Sequence, residues 1–203
     1  MPKLHPGQVL LHVRATGICG SDVHFWKHAG VGKMVVKHEC GAGHESAGEV
    51  IGVGEGVLDV HVGDRVAIEA GVPCSKPTCE MCRTGRYNAC PDVVFFSTRL
   101  SGLLTRFHAH PACWVHKLLL MYPMKRVHCW SPWPWLWLAS SMVKLGDPVL
   151  ICGGPIGLVT LLACVAAGAC PIVITDISES RLDFAKRIVL CLDVSHCGGS
   201  IGA

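Results

Sequence analysis

Four cysteines in the first half of the chain share the spacing C-x4-C-x2-C-x7-C, and they are Cys74, Cys79, Cys82 and Cys90. Four thiolates around one point satisfy tetrahedral zinc and leave no coordination position open, so a site of this kind supports the fold and takes no part in chemistry. The alternative interpretation, a set of unrelated buried cysteines, does not account for so tight a cluster. The spacing therefore predicts a structural zinc site.

A second set of possible ligands combines Cys19 with the adjacent pair His44–Glu45. A thiolate, an imidazole and a carboxylate are three zinc ligands, and a catalytic zinc keeps its fourth position for water or substrate. An alcohol bound at that position loses its proton more easily. Ser21 and His24 are candidates for passing this proton outward, and Asp22 is a candidate for orienting a ligand histidine. From the residues alone, a lone cysteine and a core histidine explain the pattern equally well.

A glycine-rich turn follows the apolar run Val149–Cys152, and Asp176 ends a second apolar run. The residues of the turn are Gly153, Gly154, Pro155, Ile156 and Gly157. A strand, a glycine turn and a helix N-terminus bind a dinucleotide pyrophosphate, and an acid about 20 residues further on binds the ribose 2′-hydroxyl and favours NAD over NADP. Because the turn reads G-G-x-x-G and not G-x-G-x-x-G, an ordinary strand–turn–helix connection remains the alternative.

The first part of the chain has the pattern of a small all-β unit. Apolar and polar residues alternate through Val9–Ala15, which predicts a half-buried strand. Further short strands are predicted at Ser46–Val53 and Arg65–Glu69, separated by glycine-containing turns.

The later part of the chain predicts alternating strands and helices. The strand at Val149–Cys152 precedes an apolar helix at Ile156–Gly168, and a second strand is expected at Ile172–Thr175. Ser178 is expected to cap a helix that continues to about Arg187. One face of that helix carries Leu182, Ala185 and Ile188. This order predicts a parallel sheet, and with it an α/β fold class.

Composition narrows the class of protein. A net charge of +3 over 203 residues gives no reason to expect nucleic acid or a membrane surface as partner. The start of the chain, Met1–His12, lacks the apolar stretch of a secretory signal, so we expect the 13 cysteines to be reduced and the protein to be cytoplasmic. The most apolar segment, Leu118–Leu138, contains Lys125 and Arg126 and is not expected to span a membrane.

Several motifs together identify a family. The combination of G-I-C-G-S-D-V-H-F-W, G-H-E-S-A-G, V-G-D-R-V-A-I-E, the four-cysteine lobe and L-G-D-P-V-L-I-C-G resembles the medium-chain, zinc-dependent alcohol dehydrogenases. Within that family it is similar to the sorbitol and xylitol dehydrogenase branch. The resemblance covers Val9–Lys117 and Leu145–Lys186.

The resemblance implies a GroES-like, β-rich catalytic domain in residues 1–117 and part of a Rossmann domain in residues 143–190. It implies zinc and NAD as cofactors, with Cys19, His44 and Glu45 at the family's catalytic zinc positions. The implied reaction transfers a hydride from a secondary alcohol of a small polyol to NAD, converting L-arabinitol to L-xylulose in L-arabinose breakdown. An intact family member is expected to be a homotetramer.

The sequence departs from the family pattern in two places. The family carries an L-L-E-P-L segment near residue 130, whose glutamate serves the catalytic zinc, but no acid occurs from Val93 through Gly146. The family's turn reads G-A-G-P-I-G, and one residue is missing here between Gly153 and Gly154. Residues 191–203 match no pattern, and the rest of the Rossmann domain is expected to be absent.

The genetic code accounts for the crowded tryptophans of residues 118–142. Read one frame over from Met124, the allowed codons permit Glu-Glu-Gly-Ala-Leu-Leu-Glu-Pro-Leu-Ala-Val-Ala-Leu-Ala, which contains the missing family segment. We therefore expect residues 118–142 to be a frameshifted translation, with Trp130–Trp137 packed irregularly. Two alternatives to the implied enzyme stay open: a catalytically inactive zinc-binding fragment, and a xylitol or sorbitol dehydrogenase. A nucleic-acid-binding zinc finger is disfavoured because no basic helix surrounds the cysteines.

Overall fold

A computed structural model of the chain describes residues 1–32, 34–97, 102–119, 121, 123–124, 141–189 and 193–194. The chain divides into two units, Met1–Ser131 and Pro132–Ala203, and each is described by itself. The expected irregular packing of Trp130–Trp137 concerns residues outside the described ranges. No helix within those ranges has the length and apolar character that crossing a membrane requires.

The first unit is built mainly from short β-strands. Its strands are β1 (Gln8–Gly17), β2 (Gly30–Val31), β3 (Met34–Val35), β4 (Glu45–Val53), β5 (Arg65–Glu69), β6 (Gly71–Val72), β7 (Val94–Phe95), β8 (Phe107–Pro111) and β9 (Val115–Lys117). Its helices are α1 (Gly20–His28) and α2 (Glu80–Arg83), with 3-10 turns at Tyr87–Ala89 and Ala112–Trp114.

Five of these strands form one antiparallel sheet in the order β8-β1-β4-β5-β9. The alternation predicted for β1 is confirmed, because Val9 and Leu11 are fully buried in a core that also contains Val50, Val66 and Leu103. The predicted strands at β4 and β5 are confirmed as well. A register shift in β1 between Val13 and Ala15 marks a bulge, after which Gly17 pairs with Glu45.

A close contact fixes the loop that enters β4. The N–H groups of Leu103 and Leu104 donate to the carbonyl oxygens of Gly43 and Ala42 at 2.8 and 2.9 Å. A Cβ atom at Gly102 would collide with the carbonyl group of Ala42, so the loop approaches this segment as closely as glycine permits. These backbone contacts with Gly102–Leu104 therefore fix the position of His44, the residue that follows Gly43.

The second unit contains a three-stranded parallel sheet, in the order β10-β11-β12, and two helices. Its elements are β10 (Val149–Cys152), α3 (Gly154–Ala166), β11 (Ile172–Thr175), α4 (Glu179–Ile188) and β12 (Asp193–Val194). The predicted order of strand, helix, strand and helix is confirmed. Leu161 of α3 and Leu182 and Ala185 of α4 pack with Ile151 and Ile174 of the sheet.

The start of α4 differs from the prediction in one respect. Ser178 occupies the N-cap position, but its side chain makes no capping hydrogen bond. Its hydroxyl lies 2.9 Å from the hydroxyl of Ser180, while its backbone N–H donates to Asp176. The expected side-chain cap is therefore wrong, because the two hydroxyl groups pair with each other.

Candidate metal centres and nucleotide cleft

The four predicted cysteines come together in one lobe of the first unit. Cys79 and Cys82 belong to the N-cap and body of α2, Cys90 ends the 3-10 turn after α2, and Cys74 follows β6. The sulfur atoms of Cys74 and Cys82 lie 3.8 Å apart, and those of Cys79 and Cys90 lie 3.9 Å apart. All four ligand atoms lie within 4.8 Å of one another.

These distances are those of a tetrahedral zinc site. Sulfur atoms about 2.3 Å from a central zinc form a tetrahedron with edges of about 3.8 Å. A disulfide would need sulfur atoms about 2.05 Å apart, and the four cysteines are free thiols. The residues present therefore fit a closed, structural zinc site.

The thiols of this lobe do not hold their protons equally. The backbone N–H of Cys74 donates to the sulfur of Cys90 and lowers the pKa of the Cys90 thiol to about 7. Burial, together with the neighbouring thiol of Cys79, raises the pKa of Cys82. Zinc must displace the remaining protons, so metal binding to this lobe should release protons and weaken in acid.

The second predicted ligand set also converges. Candidate ligand atoms of Cys19, His44 and Glu45 lie within 4.8 Å of one another, and all three residues are partly buried. Cys19 is the N-cap of α1, and Glu45 begins β4 opposite Gly17 at the end of β1. The β1–β4 register therefore brings together ligands that lie 25 positions apart in the sequence.

Asp22 binds the backbone next to two of these candidate ligands. Its Oδ2 accepts the backbone N–H of Cys19 at 2.9 Å, and its Oδ1 accepts the backbone N–H of Gly43 at 3.1 Å. The same Oδ1 lies 3.5 Å from Nδ1 of His44, which is buried and has no hydrogen-bond partner. A histidine that binds a metal through one ring nitrogen usually turns the other towards a carboxylate, as Nδ1 of His44 is turned towards Asp22. The thiolate, the imidazole and the carboxylate together fit a bound metal ion.

The other two predicted catalytic residues lie on the helix that Cys19 caps. Ser21 and His24 lie on α1, where Ser21 is partly buried and His24 is exposed. No further histidine, cysteine or carboxylate of the described part of the chain joins Cys19, His44 and Glu45. The ring of His24 lies beside that of His28.

A cleft of about 330 Å³ lies at the carboxyl ends of β10 and β11 in the second unit. Its lining residues are Cys152, Gly153, Gly154, Thr175, Asp176, Ile177 and Arg181. Of the predicted cofactor residues, the structure thus brings Gly153, Gly154 and Asp176 together at the cleft. Pro155, Ile156 and Gly157 lie in the first turn of α3, where a Cβ at Gly157 would press on the carbonyl of Cys152.

Asp176 is fully engaged by its own neighbours. Arg181 donates from Nε to Oδ2 and from Nη2 to Oδ1, both at 2.7 Å. The N–H of Gly154 donates to Oδ2 at 2.7 Å, and the N–H of Ser178 donates to Oδ1 at 2.8 Å. The Arg181 guanidinium holds the pKa of the Asp176 carboxyl well below its usual range. The cleft has the residue types of a nucleotide site, but a ribose hydroxyl must compete with these bonds.

Sequence reasoning missed Arg181 and two buried histidines. Arg181 lies five residues after the acid that ends β11, in the first turn of α4, and that spacing is the signal that was available. His108 and His110 alternate along β8 and point into the core beside Phe96. Their spacing of two is that of side chains on one buried face of a strand, but the strand was not recognised because histidine is counted as a polar residue.

Residues 5–119 match the family model of the alcohol dehydrogenase GroES-like domain. The chain therefore belongs to the alcohol dehydrogenase family that carries this domain, and the family predicted from the motifs is confirmed. The α/β fold class, with its GroES-like domain, is confirmed as well.

Three relatives show where in this family the chain lies. It is 53% identical over 196 residues to L-arabinitol 4-dehydrogenase of Hypocrea jecorina, a match that covers 91% of this chain and 49% of that protein. It is 44% identical to sorbitol dehydrogenase of Mus musculus, with 93% and 53% covered. An Escherichia coli oxidoreductase of unknown specificity superposes with a TM-score of 0.85 at 37% identity, covering 96% of this chain and 57% of that one. The chain thus spans about half the length of the curated relatives it matches.

Proposed function

We propose that this chain is the zinc-binding catalytic domain and the first part of the NAD-binding domain of a polyol dehydrogenase that oxidises L-arabinitol to L-xylulose. The observation that carries the proposal is the convergence of Cys19, His44 and Glu45 inside a GroES-like domain. The 53% identity to an L-arabinitol 4-dehydrogenase supports this choice of substrate. A homotetrameric assembly and a cytoplasmic location belong to the same proposal.

The residues of the first unit divide the work of the proposed reaction. Zinc held by Cys19, His44 and Glu45 would bind the substrate hydroxyl and lower its pKa. Asp22 fixes two of the ligand-bearing segments, because it binds the backbone N–H groups of Cys19 and Gly43. Ser21 and His24, on the helix that Cys19 caps, are proposed to pass the hydroxyl proton to solvent. The Cys74–Cys90 lobe would hold a second, structural zinc.

The second unit would bind the adenosine part of NAD in the cleft at the carboxyl ends of β10 and β11. Asp176 is proposed to accept the ribose hydroxyls, which requires it to release part of its bonding to Arg181 and Gly154. The N–H of Gly154 is at the start of α3, where a pyrophosphate oxygen would approach. Gly157 supports the site differently, by allowing α3 to pack against the end of β10.

A catalytically inactive zinc-binding fragment is a second candidate, and the bonding of Asp176 favours it. In this chain the Gly154 N–H is already used by Asp176, and the turn is one residue shorter than the family pattern. Displacements near 1 Å in a binding site already reduce rates about 100-fold. The glutamate of the family's L-L-E-P-L segment is missing from the sequence as well. Xylitol or sorbitol as preferred substrate is a third candidate, supported by the 44% identity to a sorbitol dehydrogenase.

The proposal is tested by comparing the 203-residue chain with a longer version, here called the restored protein, that carries the family's L-L-E-P-L segment near residue 130 and a whole Rossmann domain. NADH formation is followed with L-arabinitol, xylitol and sorbitol. We expect turnover only from the restored protein, with the highest kcat/KM on L-arabinitol. A restored protein that is inactive on all three polyols would contradict the proposed reaction, and robust turnover by the 203-residue chain would contradict the inactive-fragment alternative.

A further inference from the structure

Two histidines on α1 form an exposed pair outside the ligand clusters described above. His24 and His28 are separated by one helical turn, and their ring centroids lie 5.8 Å apart with an angle of 38° between the rings. Both side chains are exposed, and α1 has no buried residue. Among the described residues, neither ring makes a hydrogen bond or an ion pair. Both imidazoles are therefore free to take a common ligand.

We propose that His24 and His28 form a chelating site for a divalent transition metal ion that binds imidazole more tightly than zinc does, such as Cu²⁺, or that is offered in excess, such as Ni²⁺. Residues at i and i+4 face the same side of a helix, and neutral imidazole is a good ligand for these metals. The proposal concerns a site separate from Cys19, His44 and Glu45, whose ligand atoms cluster without either of these histidines.

The ring separation is close to that of a shared metal ion. With metal–nitrogen bonds of about 2.0–2.1 Å, each ring centroid lies about 3.2 Å from the metal. At ligand angles between square-planar and tetrahedral, two such rings have centroids about 4.5–5.2 Å apart. A small rotation of these exposed side chains would bring the ring centroids from the observed separation of 5.8 Å to the separation of a chelating pair. Water molecules complete the coordination, because the pair faces solvent.

Metal binding at this pair would also affect the proposed reaction. Only this effect on the reaction, and not the binding, rests on the proposed function. His24 is a proposed carrier of the substrate proton, and a metal ion occupies the nitrogen lone pair that carriage requires. Excess transition metal would therefore slow the proton path without removing a zinc ligand. The binding itself does not depend on catalysis and is tested without it.

The test is titration of zinc-loaded protein with Ni²⁺ by isothermal calorimetry, at neutral pH and under an inert atmosphere, so that the thiols stay reduced without an added reductant that binds the metal. We expect Ni²⁺ to bind at a site that does not displace the resident zinc. His28→Gln should weaken this site by about tenfold or more, since even changes to residues behind a ligand commonly cost 10–100-fold. The resident zinc of each variant, measured in parallel, reports that it is folded.

Two control variants separate chelation from the mere number of histidines. His61→Gln removes a histidine that is 73% exposed at another turn and should leave Ni²⁺ binding unchanged. The double variant His28→Gln with Trp26→His keeps the number of histidines but places them at i and i+2, which do not face each other, so binding should stay weak. No additional Ni²⁺ site in the original chain, equal affinity in His28→Gln, or full recovery in the double variant would each overturn the proposal.

Discussion

Both units of the chain use an almost fully buried aspartate near the start of a helix, but the two acids act differently. In the first unit, Asp22 binds the backbone N–H groups of Cys19 and Gly43 and leaves the ligand atoms of Cys19, His44 and Glu45 facing one another. In the second unit, Asp176 sits in the cleft itself and binds the N–H of Gly154 and the guanidinium of Arg181.

The difference lies in whether the groups around the acid satisfy one another. Around Asp22, Nδ1 of His44 faces the carboxylate, and the other ring nitrogen is left, with Cys19 and Glu45, for a metal ion. Around Asp176 the charged and polar groups satisfy one another, so no ligand is needed to satisfy them in the candidate nucleotide cleft. A metal ion should therefore stabilise the first unit far more than a nucleotide stabilises the second.

The largest expected effect is unfolding of the four-cysteine lobe when its zinc ligands are removed. Replacing Cys79→Ser and Cys82→Ser removes two of four thiolates, and structural zinc in small zinc domains contributes about 10–16 kcal/mol of apparent folding free energy. We expect the segment from Cys74 to Cys90 to become sensitive to limited proteolysis and to lose its zinc. Cys113→Ser, which replaces an exposed cysteine outside the lobe, is the matched control and should change neither. If the double variant resists proteolysis as well as the original chain does, the fold of the lobe does not depend on a metal ion.

The next effect is acid sensitivity of the first unit. Burial lowers the pKa of His110 to about 3 and lowers that of His108, whereas the unfolded chain titrates near 6.5. Between these values the unfolded state binds more protons, so the free energy of unfolding decreases as the pH falls below 6.5. The loss is up to about 1.4 kcal/mol per pH unit for each histidine.

Denaturant titrations between pH 7 and pH 5 measure this loss. The ring of His110 accepts from or donates to His108 at 3.3 Å and lies 3.0 Å from the carbonyl oxygen of Glu69. The other titratable group acting on it is His116, which pairs with the Glu69 carboxylate at 2.9 Å. His110→Gln should lower stability at pH 7 but flatten the pH dependence. The same slope in His110→Gln and in the original chain would show that the histidine pair is not its cause.

The smallest of these effects concerns the second unit. Asp176→Asn removes the charge that binds Arg181, and we expect a loss of roughly 2 kcal/mol. The loss is smaller than for a fully buried pair, because the Arg181 side chain is 39% exposed. Asp183→Asn, next to Lys186 on the exposed face of the same helix, should cost less than about 0.5 kcal/mol. Hydrogen exchange in β10 and β11 measures both, and equal protection in the two variants would contradict the assigned importance of the Asp176 bonds.

The sequence predicted the elements that have a clear hydrophobic pattern. Strands β1, β4, β5, β10 and β11 and helices α3 and α4 were predicted close to their observed bounds, because β1 alternates, α4 carries one apolar face, and β10 and α3 are apolar runs on either side of a glycine turn. Helix α1 was not predicted, since it buries no residue and so has no apolar face to recognise. Strand β8 was missed because two of its inward positions are His108 and His110.

The chemistry of the candidate sites was easier to predict than their contacts. Residue types and spacing alone were enough to predict that the four cysteines share one metal site. The approach of Cys19 to His44 depends instead on the pairing of Gly17 with Glu45 across the sheet, a long-range contact that local patterns do not contain. The hydrogen bonds from Arg181 to Asp176 likewise depend on the residue at which α4 begins.

Zinc content of the purified chain tests the central claim most directly, namely that the first unit holds two metal ions in two separate sites. Elemental analysis after gel filtration should give about two zinc ions per chain. Cys19→Ser should reduce the content to about one, and adding Cys79→Ser with Cys82→Ser should reduce it to nearly none. An unchanged zinc content in Cys19→Ser would contradict the assignment of Cys19, His44 and Glu45 as a metal site.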